Sequence, residues 1–418
     1  MVLMRVAPTL GVLRVRDFRL VFGAALVSLI GDGVVPVALA FAVLDLTHSA
    51  TDLGVVLATR TVTLVGALLV GGVVADRVGR RAVMVTADLT RLAGQSAVGV
   101  LLVTGHATVV EIAASQALLG AASGFFNPAS SGLLPAVAGP DLHQANALRG
   151  IATAASNIAG PAIAGVLVVA TGPGAALLID AASYGFSALL LARVAAGAGT
   201  RAVAAERHRF VRDLRDGFAE VRSRTWVWAT LLVFSLLNMV ASAFPVLGAL
   251  VAKDSLGGAG AWAAILTARA AGGLLGATAL LRFAPRRPLV AAICACAMTA
   301  VPTLLLGIPA PLTVLVAVSL LAGIGPMVFN TLWETTLLGH VPEHARSRVS
   351  SYDWFGSLAL APLGYVLVGP LAAAIGTSAA LFLCGSIEFA LLGSLLAVRE
   401  VRTLGPAGQN RPDPAPRE

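Results

Sequence analysis

Apolar residues along this chain come in long, dense blocks, with neither the alternation of a half-buried strand nor the narrow stripe of a surface helix. Each block holds ~20 residues, which as α-helix rises ~30 Å, the hydrocarbon thickness of a bilayer. With Gly, Pro and charged residues as punctuation, the pattern predicts helices near 18–44, 52–75, 81–103, 109–131, 145–169 and 175–194. After a polar break come 226–251, 261–283, 288–308, 312–336, 349–371 and 378–398. The expected fold is all-α and membrane-integral, with twelve helices in two six-helix halves, residues 1–194 and 226–398. The break, 195–225, is Arg-rich and puts Phe210, Val211, Leu214, Phe218 and Val221 on one helical face. It reads as an amphipathic cytoplasmic linker, either touching anionic membrane lipids or simply presenting a solvated basic face. The tail, 399–418, carries Pro406, Pro412, Pro414 and Pro416 and is expected to be disordered.

Composition agrees: 57% of the 418 residues are hydrophobic and 12% charged, where a soluble domain carries about 25% charged. The start, with Arg5, Arg14, Arg16 and Arg19, runs into a full-length apolar segment without a small-residue cleavage site, so that segment is expected to stay as the first helix. A net charge of +8 could suggest nucleic acid, but the charge is sorted by side. All but four of the 29 Lys and Arg residues fall on one side of the layout; Lys253 lies in an opposite loop, and Arg60, Arg91 and Arg269 lie inside helices. Cytoplasmic loops are enriched in these residues. Both termini are therefore expected in the cytoplasm, in a cell inner (plasma) membrane, with no nucleic-acid partner. Cys294, Cys296 and Cys384 sit in apolar blocks and read as buried thiols. The His residues are scattered and no phosphate-binding Gly-Lys-Ser/Thr loop is present, so no metal, no cofactor, no ATP-driven step and no enzymatic activity are expected.

The chain also repeats itself. A shift of 203 aligns Gly120 with Gly323, Phe126 with Phe329 and Asn127 with Asn330, in the fourth and tenth helices. A shift of 204 aligns Gly72 with Gly276, ending the second and eighth. Two parallel halves around a membrane-normal axis, with a substrate path between them, are the expectation.

After the second helix stands Gly72-Val-Val-Ala-Asp76-Arg77-Val-Gly79-Arg80-Arg81, which resembles the loop signature of the major facilitator superfamily. The resemblance implies a cytoplasmic gate in which Asp76 meets the start of the eleventh helix, here Arg348-Val349-Ser350-Ser351. Asn157-Ile-Ala-Gly160-Pro161-Ala-Ile-Ala164-Gly165 is similar to the Gly-Pro motif of the superfamily's exporters, commonly antiporters. The runs Phe125 to Ala129, Leu142 to Ala147 and Thr331 to Pro342 resemble the branch holding macrolide-efflux and enterobactin-exporter-like proteins. Two positions depart from the pattern: Gln116 stands where drug–proton antiporters often carry Arg, and Leu280 where the second-half loop would repeat Asp76.

A charge at mid-bilayer costs a few kcal/mol and needs a partner or an aqueous cavity. Asp32, between Gly31 and Gly33, is a candidate proton carrier or a structural carboxylate neutralised by Arg60; Glu388 is the deepest second-half carboxylate and joins them as a coupling candidate. Asp88 and Arg91, one turn apart, read as a self-neutralising pair. Asn127, Asp180, Tyr184, Asn330, Trp333 and Glu334 are candidates to line a substrate cavity, or to hold helices together; Asp353 reads as a gate or cap. The expected function is secondary active export of small amphipathic or drug-like molecules by proton antiport, through alternating access in a monomer. Export of one dedicated metabolite or siderophore is the alternative within transport, and a non-transporting receptor the alternative outside it.

Overall fold

The computed structural model describes residues 11–195, 219–283, 285–342 and 356–405, together with Arg346, Val349, Tyr352 and Asp353. The linker positions Phe210, Val211, Leu214 and Phe218, the loop positions Arg348, Ser350 and Ser351, and the tail prolines lie outside the described residues.

The described residues form helices and turns alone. In the first half these are α1 (Arg16–Thr47), α2 (Ala50–Val78), α3 (Arg80–Thr104), α4 (Val109–Ala138) and α5 (Leu142–Ala192). Their boundaries follow from local chemistry. Ser49 caps α2 by accepting from the Asp52 N–H, and Thr108 and Glu111 form a reciprocal capping box at the start of α4. Gly105, at φ 75°, closes α3 in the left-handed conformation that suits Gly. The fifth and sixth predicted helices run on as α5, broken only at Gly172 (φ 82°), with Pro173 opening the next turn.

In the second half lie α6 (Thr225–Ala241), α7 (Ala243–Ser255), α8 (Ala259–Leu280), α9 (Pro288–Ala297), α10 (Ala300–Leu306) and α11 (Leu312–His340). They are followed by α12 (Ala361–Ile375), α13 (Thr377–Leu395) and the short α14 (Arg399–Thr403). Helices α6 with α7, and α9 with α10, are each one predicted span interrupted by a local break. Among the described residues, nine helical stretches are long and apolar enough to cross a membrane. The stretch Val109–Ala192, 84 residues long, is long enough for three crossings and divides at the 139–141 turn and at Gly172. Helix α3 fails the apolar test because it carries Asp88 and Arg91, and it completes the dozen.

Two compact units result: Met1–Ala204 with Ala249–Thr267, and Ala205–Gly248 with Ala268–Glu418. In the first, α1 packs along α5 and α2 along α4, while α3 lies against both α4 and α5. Lys253 of α7 belongs to this unit, its Nζ 2.5 Å from Asp45 Oδ1 and 2.7 Å from the Leu44 carbonyl at the end of α1. In the second, α9 packs on α11 and α10 on α13, and Val221, Trp226, Ile293, Phe329 and Leu392 share one core. Leu69, Val110, Val166 and Val169 of the first half are all more than 60% exposed, the mark of helices solvated by lipid.

Candidate functional site

The polar residues of the first unit converge on a network, which contains both ion pairs expected from the sequence. Asp32 Oδ1 accepts a 2.7 Å hydrogen bond from the Tyr184 hydroxyl and lies 3.9 Å from Arg60 Nη2. Arg60 Nη1 donates to Gln116 Oε1 at 3.2 Å. Gln116 thus holds the Arg60 guanidinium from α4, a role its departure from the antiporter Arg did not suggest. Deeper in the unit, Arg91 Nη1 lies 3.3 Å from Asp88 Oδ1, Ser187 Oγ donates to Asp88 Oδ2 at 2.6 Å, and Gln95 Nε2 donates to Asp180 Oδ2 at 2.8 Å. The Arg91 guanidinium sits over the rings of Phe126 (4.5 Å) and Tyr184 (5.3 Å).

Exposure separates the two ion pairs. The side chains of Arg60 and Asp32 are 26% and 33% exposed, whereas those of Arg91 and Asp88 are 4% and 0% exposed. The first pair is therefore partly open and the second is sealed within the unit. Asp180 is likewise fully buried and bonded by Gln95, so among the substrate-cavity candidates it is a helix-to-helix contact. Tyr184, also sealed, acts through Asp32. Asn127 is exposed on α4.

The second unit holds a cavity of about 620 Å³. The cavity candidates Asn330, Trp333 and Glu334 line it, with the coupling candidate Glu388; so do Phe234, Asn238, Arg269 and Thr303, which sequence reasoning left without a cavity role. Glu388 is 2% exposed, and its Oε1 accepts a long 3.5 Å bond from Thr303 Oγ1. Arg269 faces the same cavity, with its guanidinium 4.5 Å from the centre of the Phe244 ring. Asp353 Oδ2 accepts from Trp333 Nε1 at 3.0 Å in the cavity wall. The spacing of Phe329 and Trp333, one helical turn apart, was the available signal for this wall.

The motif residues act as close contacts and staples. A Cβ on Gly160 would strike the backbone of Gly33, so the Gly-Pro motif brings α5 against α1 one residue from Asp32. Gly165 meets Ala263 of α8 in the same way, and Pro161 withholds an N–H inside α5. In the loop, Arg80 pairs with Asp76 at 3.1 Å and donates to the Gly132 carbonyl at 2.6 Å. Arg81 donates to the Leu191 and Ala192 carbonyls, cations at a helix C-terminus. Gly79, at φ 102°, makes the turn, and Asp76 and Arg77 are exposed.

Packing also corrects one register of the repeat. The close approach beside Pro128 is made by Gly71, against the Gly124 carbonyl; Gly72 touches only Pro128, at 4.0 Å, whereas Gly276 abuts the Ile324 backbone at 2.9 Å. Gly72 and Gly276 are therefore not equivalent. Instead Gly120 presses on the backbone carbonyl of Arg60 and Gly323 on that of Arg269, making the two arginines counterparts. The 203 shift holds for α4 and α11, and a different one relates α2 to α8, because the intervening helix is shorter in the second half, Pro288–Leu306 against Arg80–Thr104.

Long apolar helices, charged side chains paired among them and a cavity of small-molecule size are the equipment of a membrane transporter. The sequence profile of the Major Facilitator Superfamily matches residues 21–354, and the chain belongs to that family. It is 30% identical over 408 residues to the multidrug efflux pump Tap of Mycolicibacterium fortuitum, covering 90% of this chain and 93% of that one. The Tap protein of Mycobacterium tuberculosis is also 30% identical, over 91% of this chain and 92% of its own. Among solved structures, the nucleoside transporter NupG superposes with a TM-score of 0.76 at 13% identity, over 91% of this chain and 98% of that one. A peptide transporter of the POT type in complex with sulfate superposes with a TM-score of 0.74 at 14% identity, covering 94% and 96%. At those identities the likeness is one of fold, and it is consistent with twelve helices in two halves.

Proposed function

We propose that this chain exports small amphipathic or drug-like compounds from the cell by proton antiport, through alternating access, with Asp32 and Arg60 as the coupling pair. The observation that carries the reading is the Asp32 site: a partly exposed carboxylate inside a membrane-spanning helix, 3.9 Å from one guanidinium and bonded by one hydroxyl. Protonation of Asp32 loosens its hold on Arg60, which then rests on Gln116 alone, and a ligand-independent switch of this kind biases one access state over the other. The Gly160–Gly33 contact transmits the change from α1 to α5. Glu388 is the second proton candidate. Relatives named multidrug efflux pumps support the substrate class and the direction. The same reading has the protein act in the cell's inner membrane as a monomer with both termini in the cytoplasm, its partners being its substrate, protons and lipids rather than nucleic acid.

The test is flux in proteoliposomes under an imposed proton gradient, after a compound panel has supplied a substrate. Gradient-driven flux by the native chain, lost in Asp32→Asn while gradient-free exchange persists, is the expected result. Equal gradient-driven flux in both chains removes Asp32 from coupling. Binding without flux favours a receptor, and flux confined to one compound favours a dedicated metabolite or siderophore exporter.

A further inference from the structure

The cavity of the second unit is asymmetric in charge and in texture. Three carboxylates, Glu334, Asp353 and Glu388, face it against one guanidinium, Arg269, and that guanidinium lies over the Phe244 ring. One wall is a ladder of parallel rings: Phe234 and Phe329 have centroids 4.0 Å apart at 22°, and Phe329 and Trp333 6.0 Å apart at 13°. Ring faces are the negative ends of aromatic quadrupoles and attract cations, most strongly where water is excluded. A buried carboxylate with one long hydrogen bond has acceptor capacity left over. The volume, about 620 Å³, lies inside the range of small-molecule sites.

We infer that this cavity binds an organic monocation with a flat aromatic body, its rings laid on the Phe234–Phe329–Trp333 ladder and its charge directed to Glu388 and Asp353. An anion would meet three carboxylates, and a neutral compound would leave the excess of carboxylates over the one guanidinium, Arg269, unmatched. The assignment deepens the export reading and depends on it only for the direction of travel.

The experiment uses the full chain in detergent and three ligands of one shape: N-methylacridinium, neutral 9-methylanthracene and 9-anthracenecarboxylate. Fluorescence anisotropy of each reads its binding. The cation is expected to bind at least tenfold more tightly than the neutral compound, and the carboxylate most weakly. Glu388→Gln is expected to lower cation affinity tenfold or more while leaving the neutral compound's unchanged, and Phe329→Leu to weaken both. Should Glu388→Gln fail to fold, a chain carrying Glu334→Gln and Asp353→Asn makes the same comparison at the cavity mouth and wall. Equal affinity for cation and neutral compound, or a cation affinity indifferent to these carboxylates, overturns the assignment. The selectivity without gradient-driven flux in proteoliposomes would sink the export reading and leave the site standing; gradient-driven flux without the selectivity would do the reverse.

Discussion

Two carboxylate–arginine pairs in one half of the molecule have opposite consequences, because one is partly exposed and the other buried. Removing one partner of a buried pair strands the other charge, at a cost of ~3–5 kcal/mol. Asp88→Ala, which strands Arg91, is expected to lose about that much in mixed-micelle unfolding, and adding Arg91→Met is expected to recover most of it. A half-exposed pair at 3.9 Å is worth ~0–1 kcal/mol, so Asp32→Asn should scarcely move the unfolding transition even though it abolishes coupled flux. A large stability loss in Asp32→Asn would make that residue structural. The Asp88–Arg91 pair was legible in the sequence because its partners are one turn apart on one helix. The Tyr184–Asp32 and Arg60–Gln116 bonds were not, since they join residues 152 and 56 positions apart and depend on which helices become neighbours.

Helices in lipid gain little from burying apolar surface against one another, so close backbone approach and polar staples set which helices touch. Gly120 and Gly323, each seated on an arginine carbonyl, are expected to reject a methyl group: Gly120→Ala or Gly323→Ala should cost ~1–3 kcal/mol through overpacking. Gly72→Ala, with only Pro128 at 4.0 Å, should stay within ~0.5 kcal/mol of native in the same unfolding measurement. Comparable losses at all three positions would restore the Gly72–Gly276 equivalence. That equivalence failed because glycine is frequent in this chain, 44 of 418 residues, so one matched pair carries little information about register. The asparagine pair in α4 and α11 fixed its register better by matching a rarer residue. Hydropathy likewise placed the helices well, including the break between the fifth and sixth, which falls at Gly172. The ladder of Phe234, Phe329 and Trp333 was hidden, because Phe234 comes from a helix far away in sequence.

Across the whole molecule, orientation follows from counting crossings, and a single misassigned helix inverts every loop after it. The vulnerable element is α3, which carries two charges and falls short of the apolar composition of the nine clear stretches. Its crossing is acceptable because Asp88 and Arg91 neutralise each other, Ser187 and two aromatic rings enclose them, and the remaining surface toward lipid is apolar, as at Leu89, Val100 and Val103. If α3 crosses, His106 lies on the same side as Asp254, and Arg282 and Arg402 lie opposite, on the basic side that faces the cytoplasm. All four side chains are exposed. In a chain with its three native cysteines replaced by Ala, His106→Cys and Asp254→Cys are expected to react with a membrane-impermeant maleimide on intact cells. Arg282→Cys and Arg402→Cys should react only after the membrane is opened. Labelling of Asp254→Cys but not His106→Cys on intact cells would mean that α3 lies along the membrane instead of through it, and the charge network around Asp32 would lose the helix on which half of it stands.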